Sequence, residues 1–274
     1  MYLPELVDLL SEMGQPKFRA AQLYKWLQNG AESFDEMTDI PKTLKTALDE
    51  NCYIANVRIV KRLQSQIDGT VKYVYELFDG EYIESVLMKY EHGYTVCIST
   101  QVGCRMGCSF CASGIGGLIR SLTASEMLAQ ITAAQRDNNI RISNIVMMGI
   151  GEPLDNFDNV VKFLHLVGCE DGINIGYRHI SLSTCGIVDK IYELSKLGLP
   201  ITLSISLHAP DDETRSAIMP VNNKWGVEEL LRACKDYYKS TGRRISFEYA
   251  LIDGVNDQPE HAMELIKLLK GMGA

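Results

Sequence analysis

The chain has 274 residues, 46% of them hydrophobic, and a formal net charge of −8 at pH 7. Such a length suits one large domain with a small appendage, and the apolar content allows a sizeable core. The acidic balance gives no global positive field for nucleic acid, and no apolar run reaches membrane length. The start, Met1-Tyr-Leu-Pro-Glu-Leu-Val-Asp, lacks a basic region and a long apolar stretch, so no signal peptide is expected. Residues 1–52 read as a helical unit. Leu3, Leu6, Val7, Leu10 and Met13 recur at helical spacing, and Gly14 ends that helix. Phe18, Ala21, Leu23, Trp26 and Leu27 form a second stripe, closed by Asn29-Gly30. A third short helix is expected from Pro41 to about Glu50. Lys17, Arg19 and Lys25 beside these aromatics suit either an RNA-binding surface or an ordinary solvated face.

Residues 53–93 turn to strands. Val57-Arg-Ile-Val-Lys, Val71-Lys-Tyr-Val-Tyr-Glu-Leu-Phe and Tyr82-Ile-Glu-Ser-Val-Leu-Met are β-rich, with Asp68-Gly69 and Asp79-Gly80 as hairpin signals. They form an antiparallel extension leading to Tyr94-Thr-Val-Cys-Ile-Ser-Thr, the first strand of a third segment, 94–274. Further strands are expected around Asn144-Ile-Val-Met-Met, Arg178-His-Ile-Ser-Leu-Ser-Thr, Pro200-Ile-Thr-Leu-Ser-Ile-Ser-Leu-His and Arg244-Ile-Ser-Phe-Glu-Tyr-Ala-Leu. Helical patterns separate them at about 124–138, 157–168, 187–198 and 227–240, and another follows at 257–271. Repeated βα units mean a parallel sheet with helices outside, here an α/β partial barrel with its site at the strands' carboxyl ends.

Between the first two strands lies Cys104-Arg-Met-Gly-Cys108-Ser-Phe-Cys111. Thiolates are the usual ligands of iron–sulfur clusters, and three of them leave one iron of a cubane open. Zinc prefers cysteine pairs with a second pair or two histidines downstream, and neither follows. Eight cysteines, three of them in a cluster motif, point to a reducing compartment, hence the cytoplasm. This spacing resembles that of the radical S-adenosylmethionine (SAM) superfamily. The resemblance implies one [4Fe-4S] cluster at Cys104, Cys108 and Cys111, with SAM on the open iron.

Other features gather at the same strand ends. Ile201, Leu203, Ile205 and Leu207 alternate with Thr202, Ser204, Ser206 and His208, so one face of that strand is apolar and the other polar. Ser181 and Ser183 repeat the pattern on the strand before. Two neighbouring polar faces suggest a lumen that holds a polar ligand, although a backbone bond accounts for any single serine. Gly149-Ile-Gly-Glu-Pro153 follows the second strand; its glycines suit a ligand's approach or a tight turn, and Glu152 suits an ammonium.

Cys97-Ile-Ser-Thr-Gln-Val-Gly-Cys104, Val146-Met-Met-Gly-Ile-Gly-Glu-Pro-Leu, Leu182-Ser-Thr and Ile205-Ser-Leu-His-Ala-Pro together narrow the resemblance. They are similar to motifs of the radical SAM adenine-C2 methyltransferases of large-subunit rRNA and tRNA, and Pro16-Lys-Phe-Arg-Ala and Ser33-Phe-Asp-Glu-Met-Thr extend the likeness to the helical unit. The family moves a methyl from one SAM to a cysteine near its C-terminus. A second SAM, cleaved at the cluster, yields the radical that activates this methyl, and the carbon radical adds to the base. A second cysteine then frees the product through a transient disulfide. The likeness implies that Cys97 is this second cysteine and that Glu84 accepts a proton. It places SAM contacts at Gly151, Glu152, Ser183, Ser206, Leu207 and His208. The residues alone leave Cys97 open as a small core side chain and Glu84 as an exposed strand acid. The chain stops at Lys270-Gly-Met-Gly-Ala274, short of the family's last strand and methyl-carrying cysteine. The expectation is therefore cluster binding and slow SAM cleavage without RNA methylation, and self-association through an apolar edge. Implied partners are large-subunit rRNA, tRNA and an electron donor such as flavodoxin or ferredoxin, around a monomer with no membrane contact. An adenine-C8 methylase of the same superfamily, or a non-catalytic Fe–S or RNA-binding protein, are the alternatives.

Overall fold

A computed structural model describes all 274 residues. Three helices open the chain: α1 (Leu3–Glu12), α2 (Phe18–Gln28) and α3 (Lys42–Asn51). They bury Leu6, Leu10, Leu23, Tyr24, Leu44 and Leu48, the expected apolar stripes. Then come β1 (Arg58–Gln64), β2 (Val71–Glu76) and β3 (Tyr82–Tyr90), joined by antiparallel pairing. β3 pairs antiparallel with β4 (Gly93–Cys97), so the extension is continuous with the main sheet.

From β4 onward the sheet is parallel: β4, β7 (Ile142–Met147), β8 (Ile180–Thr184), β9 (Thr202–Ser206) and β10 (Ile245–Glu248). The full order is β1-β2-β3-β4-β7-β8-β9-β10, with the five parallel strands in chain order as βα units require. This is the expected α/β partial barrel. Helices α4 (Ala124–Asn138), α5 (Phe157–Val167), α6 (Val188–Lys196) and α8 (Val227–Thr241) connect the strands, and α9 (Pro259–Leu269) follows β10. Helix α4 starts at a reciprocal cap: Thr123 Oγ1 accepts the Glu126 N–H at 3.2 Å and Glu126 accepts the Thr123 N–H at 2.8 Å.

The pairing register sets the two faces of the sheet. Val96, Ile145, Leu182, Leu203 and Ile245 occupy one face and are buried. The opposite face carries Cys97, Val146, Ser181, Ser183, Ser204, Ser206 and Glu248. The polar stripe read in the third and fourth parallel strands thus continues onto the fifth. One apolar cluster runs from Leu6 in α1 through Tyr75 in β2 to Leu230 in α8. Polar ties reinforce the seams: Arg62 Nε donates to Asp137 at 2.8 Å and Tyr73 Oη to the same carboxylate at 2.7 Å.

Two elements depart from the sequence reading. Cys97 ends β4, and the chain then forms a separate hairpin of β5 (Gln101–Gly103) and β6 (Leu118–Ser121) around the cysteine loop. These strands are too short to show a period of two. Their closeness depends on Gly103, at φ +74°, where a Cβ would sit 1.9 Å from the Gly117 carbonyl oxygen. Second, Asp212–Ile218 forms helix α7, capped by Asp211, which accepts the Thr214 N–H at 2.8 Å.

Candidate functional site

The loop between β5 and β6 carries Cys104, Cys108 and Cys111. Backbone bonds fix it at three points: the Cys104 N–H donates to Gly117 O at 3.0 Å, Cys111 N–H to Cys108 O at 3.1 Å, and Ser109 N–H to Ile218 O at 2.9 Å. All eight cysteines are free thiols. The three loop cysteines line one cavity of about 170 Å³ together with Gly149, Gly151, Glu152, Ser183, Ser206, His208 and Glu248. Wider hollows lie elsewhere, about 640 Å³ beside Arg58 and about 750 Å³ at the β10 edge, and neither has a sulfur donor. Of these three, the cysteine cavity alone offers thiol ligands.

The donor set fits an iron–sulfur cluster. Nowhere do three His, Cys, Asp or Glu side chains converge as a single ion requires. A cubane instead takes one thiolate on each of three irons, so its cysteines stand apart. Burial pushes the Cys104 thiol up and Cys108 up to about 11, so without a cluster both are protonated at neutral pH. Assembly there must release protons.

The β7 loop closes one side. Its glycines are required by protein neighbours: a Cβ on Gly149 would lie 2.7 Å from Ile98 O, and one on Gly151, at φ +105°, 2.6 Å from Gln101 Cβ. The tight-turn explanation thus accounts for both glycines, and their role toward a ligand rests on position. Glu152 is buried with both oxygens engaged: Oε1 accepts the Leu154 N–H at 2.9 Å and Oε2 the Cys185 N–H at 2.8 Å. Burial raises its pKa against these bonds. It braces the end of β8 as well as facing the cavity.

On the polar face Ser183 and Ser206 lie 3.5 Å apart, and both donate to Glu248, at 3.2 and 3.4 Å. Sequence reasoning missed Glu248. The phase of β10 held the signal, because the register sets Glu248 opposite Ser206. His208 stands just past β9 at φ +56°, an uncommon backbone for a residue other than glycine. Its Nδ1 accepts the Ala250 N–H at 3.0 Å, which assigns the neutral ring's proton to Nε2. Burial drops its pKa to about 4. A folded value below the unfolded one means stability is complete above about 6.5 and is lost as pH falls toward about 4. Denaturant titrations at pH 7, 6 and 5 should show that loss. It should shrink in His208→Asn, which tolerates this backbone; an identical slope in the variant would remove His208 as the cause.

Three other sequence candidates lie outside the cavity. Leu207 is buried; its N–H donates to Glu248 O at 3.1 Å and its carbonyl accepts from Arg215 at 3.0 Å. Cys97 is on the polar face opposite Val86 and Val146, and burial raises its pKa. Glu84, on β3, is half exposed and paired with Lys72 at 2.9 Å.

A sulfur triad at the carboxyl ends of a five-stranded parallel half-barrel defines a class. Residues 98–266 match the family model described as the radical SAM superfamily. Residues 1–54 match that of the ribosomal RNA large subunit methyltransferase N-terminal domain. A protein of Clostridium novyi named probable dual-specificity RNA methyltransferase RlmN is 55% identical over 271 residues, 98% of this chain and 79% of that protein. One of the same name from Alkaliphilus oremlandii is 54% identical over 270 residues, with the same shares. The crystal structure of a radical SAM methyltransferase from Sphaerobacter thermophilus superposes with a TM-score of 0.94 at 43% identity, covering 99% of this chain and 81% of that one. The chain belongs to the RlmN family of radical SAM methyltransferases, which work with a [4Fe-4S] cluster and SAM.

Proposed function

We propose that the reaction this cluster and SAM site serves is methylation of carbon 2 of adenine in large-subunit rRNA and in tRNA. The observation that carries the reading is the single cavity where three free cysteines meet the polar ends of β8, β9 and β10. When bound, the cluster supplies the electron that cleaves SAM. Cys104, Cys108 and Cys111 hold it. Gly151, Glu152, Ser183, Ser206 and His208 receive SAM, and Leu207, assigned by motif, holds Ser206 and His208 in place through its backbone bonds to Glu248 and Arg215. Ser183 and Ser206, whose hydrogens go to Glu248, offer hydroxyl oxygens as acceptors for ribose hydroxyls or an ammonium, and Nε2–H of the neutral His208 offers a fixed donor. Cys97 is assigned the release step, in which its sulfur would bond to that of the methyl-carrying cysteine as the carbon–sulfur bond to the product breaks, and its raised pKa means that a base must take its proton. Glu84 is assigned that acceptor role; its carbonyl accepts Ser99 Oγ at 2.6 Å, which ties its strand to the segment after Cys97.

The division into a helical unit 1–52, a β extension 53–93 and a half-barrel 94–274 belongs to the same reading. So do a monomeric state, a cytoplasmic location and a flavodoxin or ferredoxin as electron donor. No helix of the chain is long and apolar enough to cross a membrane. The test is anaerobic reconstitution followed by reduction with SAM present. Brown, iron-loaded protein that forms 5′-deoxyadenosine is expected, and colourless, iron-free protein after repeated loading would refute the reading. In a preparation that transfers methyl groups, mass mapping should place the methyl at C2 of adenine; a methyl at C8 would favour the alternative chemistry.

A further inference from the structure

Arg215 is the largest fully buried side chain in the protein, at 0% exposure, and the roles assigned so far do not use it. Its guanidinium donates to Leu207 O at 3.0 Å, Cys185 O at 2.6 Å, Ser206 O at 3.1 Å and Asn222 Oδ1 at 2.9 Å. All four acceptors are neutral. Asp212, on the same helix, instead accepts the Val227 N–H at 2.7 Å and the Asn222 amide at 2.9 Å. A buried cation with no directly bonded counter-charge is costly, and arginine does not shed its proton to escape the cost.

The missing anion has an obvious place. Two of the carbonyl partners belong to Cys185 and Ser206, which line the cysteine cavity. The cysteine loop is tied to the same helix, since Ser109 N–H donates to Ile218 O at 2.9 Å. Gly107 of that loop faces Pro220 just beyond the helix, where a Cβ would lie 3.6 Å from its Cγ. Burial lowers the Arg215 pKa, and the charge of the Asp212 carboxylate, which makes no ion pair with it, offsets that only in part.

We propose that Arg215 is the buried counter-charge of the iron–sulfur cluster and raises its reduction potential. The inference rests on the reading that Cys104, Cys108 and Cys111 hold that cluster. Three thiolates on a cubane leave a net negative charge, and the electron taken from an external one-electron donor makes it more negative. A fixed cation in a low-dielectric interior favours the more negative state. Arg215 is thus a positioning residue that acts through charge.

The test uses the full chain, reconstituted anaerobically, as wild type, Arg215→Gln and Arg215→Lys. Glutamine keeps N–H donors for the carbonyls and loses the charge; lysine keeps the charge, because a negative cluster beside it holds the buried ammonium protonated. Iron and sulfide content report loading. A dye-mediated titration with dithionite, followed by electron paramagnetic resonance, reports the potential. Arg215→Gln should load its cluster and show at least a tenfold lower reduced-to-oxidised ratio at fixed potential, a shift of 59 mV for one electron. Arg215→Lys should stay within about threefold of wild type, since the ammonium is kept charged by the cluster it faces. A loaded glutamine variant at the wild-type potential would overturn the proposal, as would a lysine variant displaced as far as the glutamine one. Should the glutamine variant not fold, the lysine variant decides alone, a tenfold loss with the charge retained counting against the idea. Wild-type protein that takes up no iron would defeat the cluster reading, an outcome separable from any shift in potential.

Discussion

Replacing Cys108 with alanine should reduce bound iron to background and abolish 5′-deoxyadenosine formation, with little loss of fold. The thiol is one of three donors, and a cubane held by the remaining two has a second unprotected iron. Its neighbours hold the loop by backbone bonds that the substitution leaves intact: Ser109 N–H to Ile218 O and Cys111 N–H to Cys108 O. Cys104→Ala and Cys111→Ala should behave alike. Cys234→Ala supplies the contrast, since that thiol is buried in α8 among apolar neighbours and should load iron as wild type does. Iron and sulfide per chain, with circular dichroism for fold, settle it. Undiminished iron in Cys108→Ala would mean that the metal sits elsewhere.

The same three cysteines show how much of the protein was legible in its sequence. Their spacing is a local property, and so are the apolar periods that gave the helices and the five parallel strands. The polar face of β9 was legible for the same reason, because alternation along one strand is written in consecutive residues. What was not legible depends on pairing. Glu248 enters the cavity only because β10 registers against β9 with Glu248 opposite Ser206. Helix α7 is seven residues long, and its buried arginine interrupts the apolar pattern a helix normally presents. Gly149 and Gly151 invited a ligand explanation that the neighbouring Ile98 and Gln101 supply more simply. Glu84 was placed by motif alone, and in the structure its carboxylate turns to Lys72.

Glu152 carries the second large effect, because one side chain there serves both the fold and the cavity. In Glu152→Gln the amide has one acceptor oxygen for two backbone N–H groups, those of Leu154 and Cys185. The other N–H then faces an NH₂ group, and a buried donor left unmet costs about 1–3 kcal/mol. The pH dependence separates this from a general packing defect. Burial raises the folded pKa of Glu152 above its ordinary value. A carboxyl raised on folding contributes its full stability below the unfolded value, about 4.3, and loses it as pH rises through the folded one. The glutamine variant has no such loss, so the gap between the two proteins should narrow as pH rises. Denaturant titrations at pH 5, 6, 7 and 8 read that gap directly, and a constant or widening gap would contradict the assignment. Binding of a cationic ligand beside Glu152 favours its ionised form, so SAM binding should release more protons from wild type than from Glu152→Gln, as calorimetry in buffers of different ionisation enthalpy can measure. A carboxylate used only as a brace would weaken the fold in the variant and leave the two proteins with the same proton count on binding.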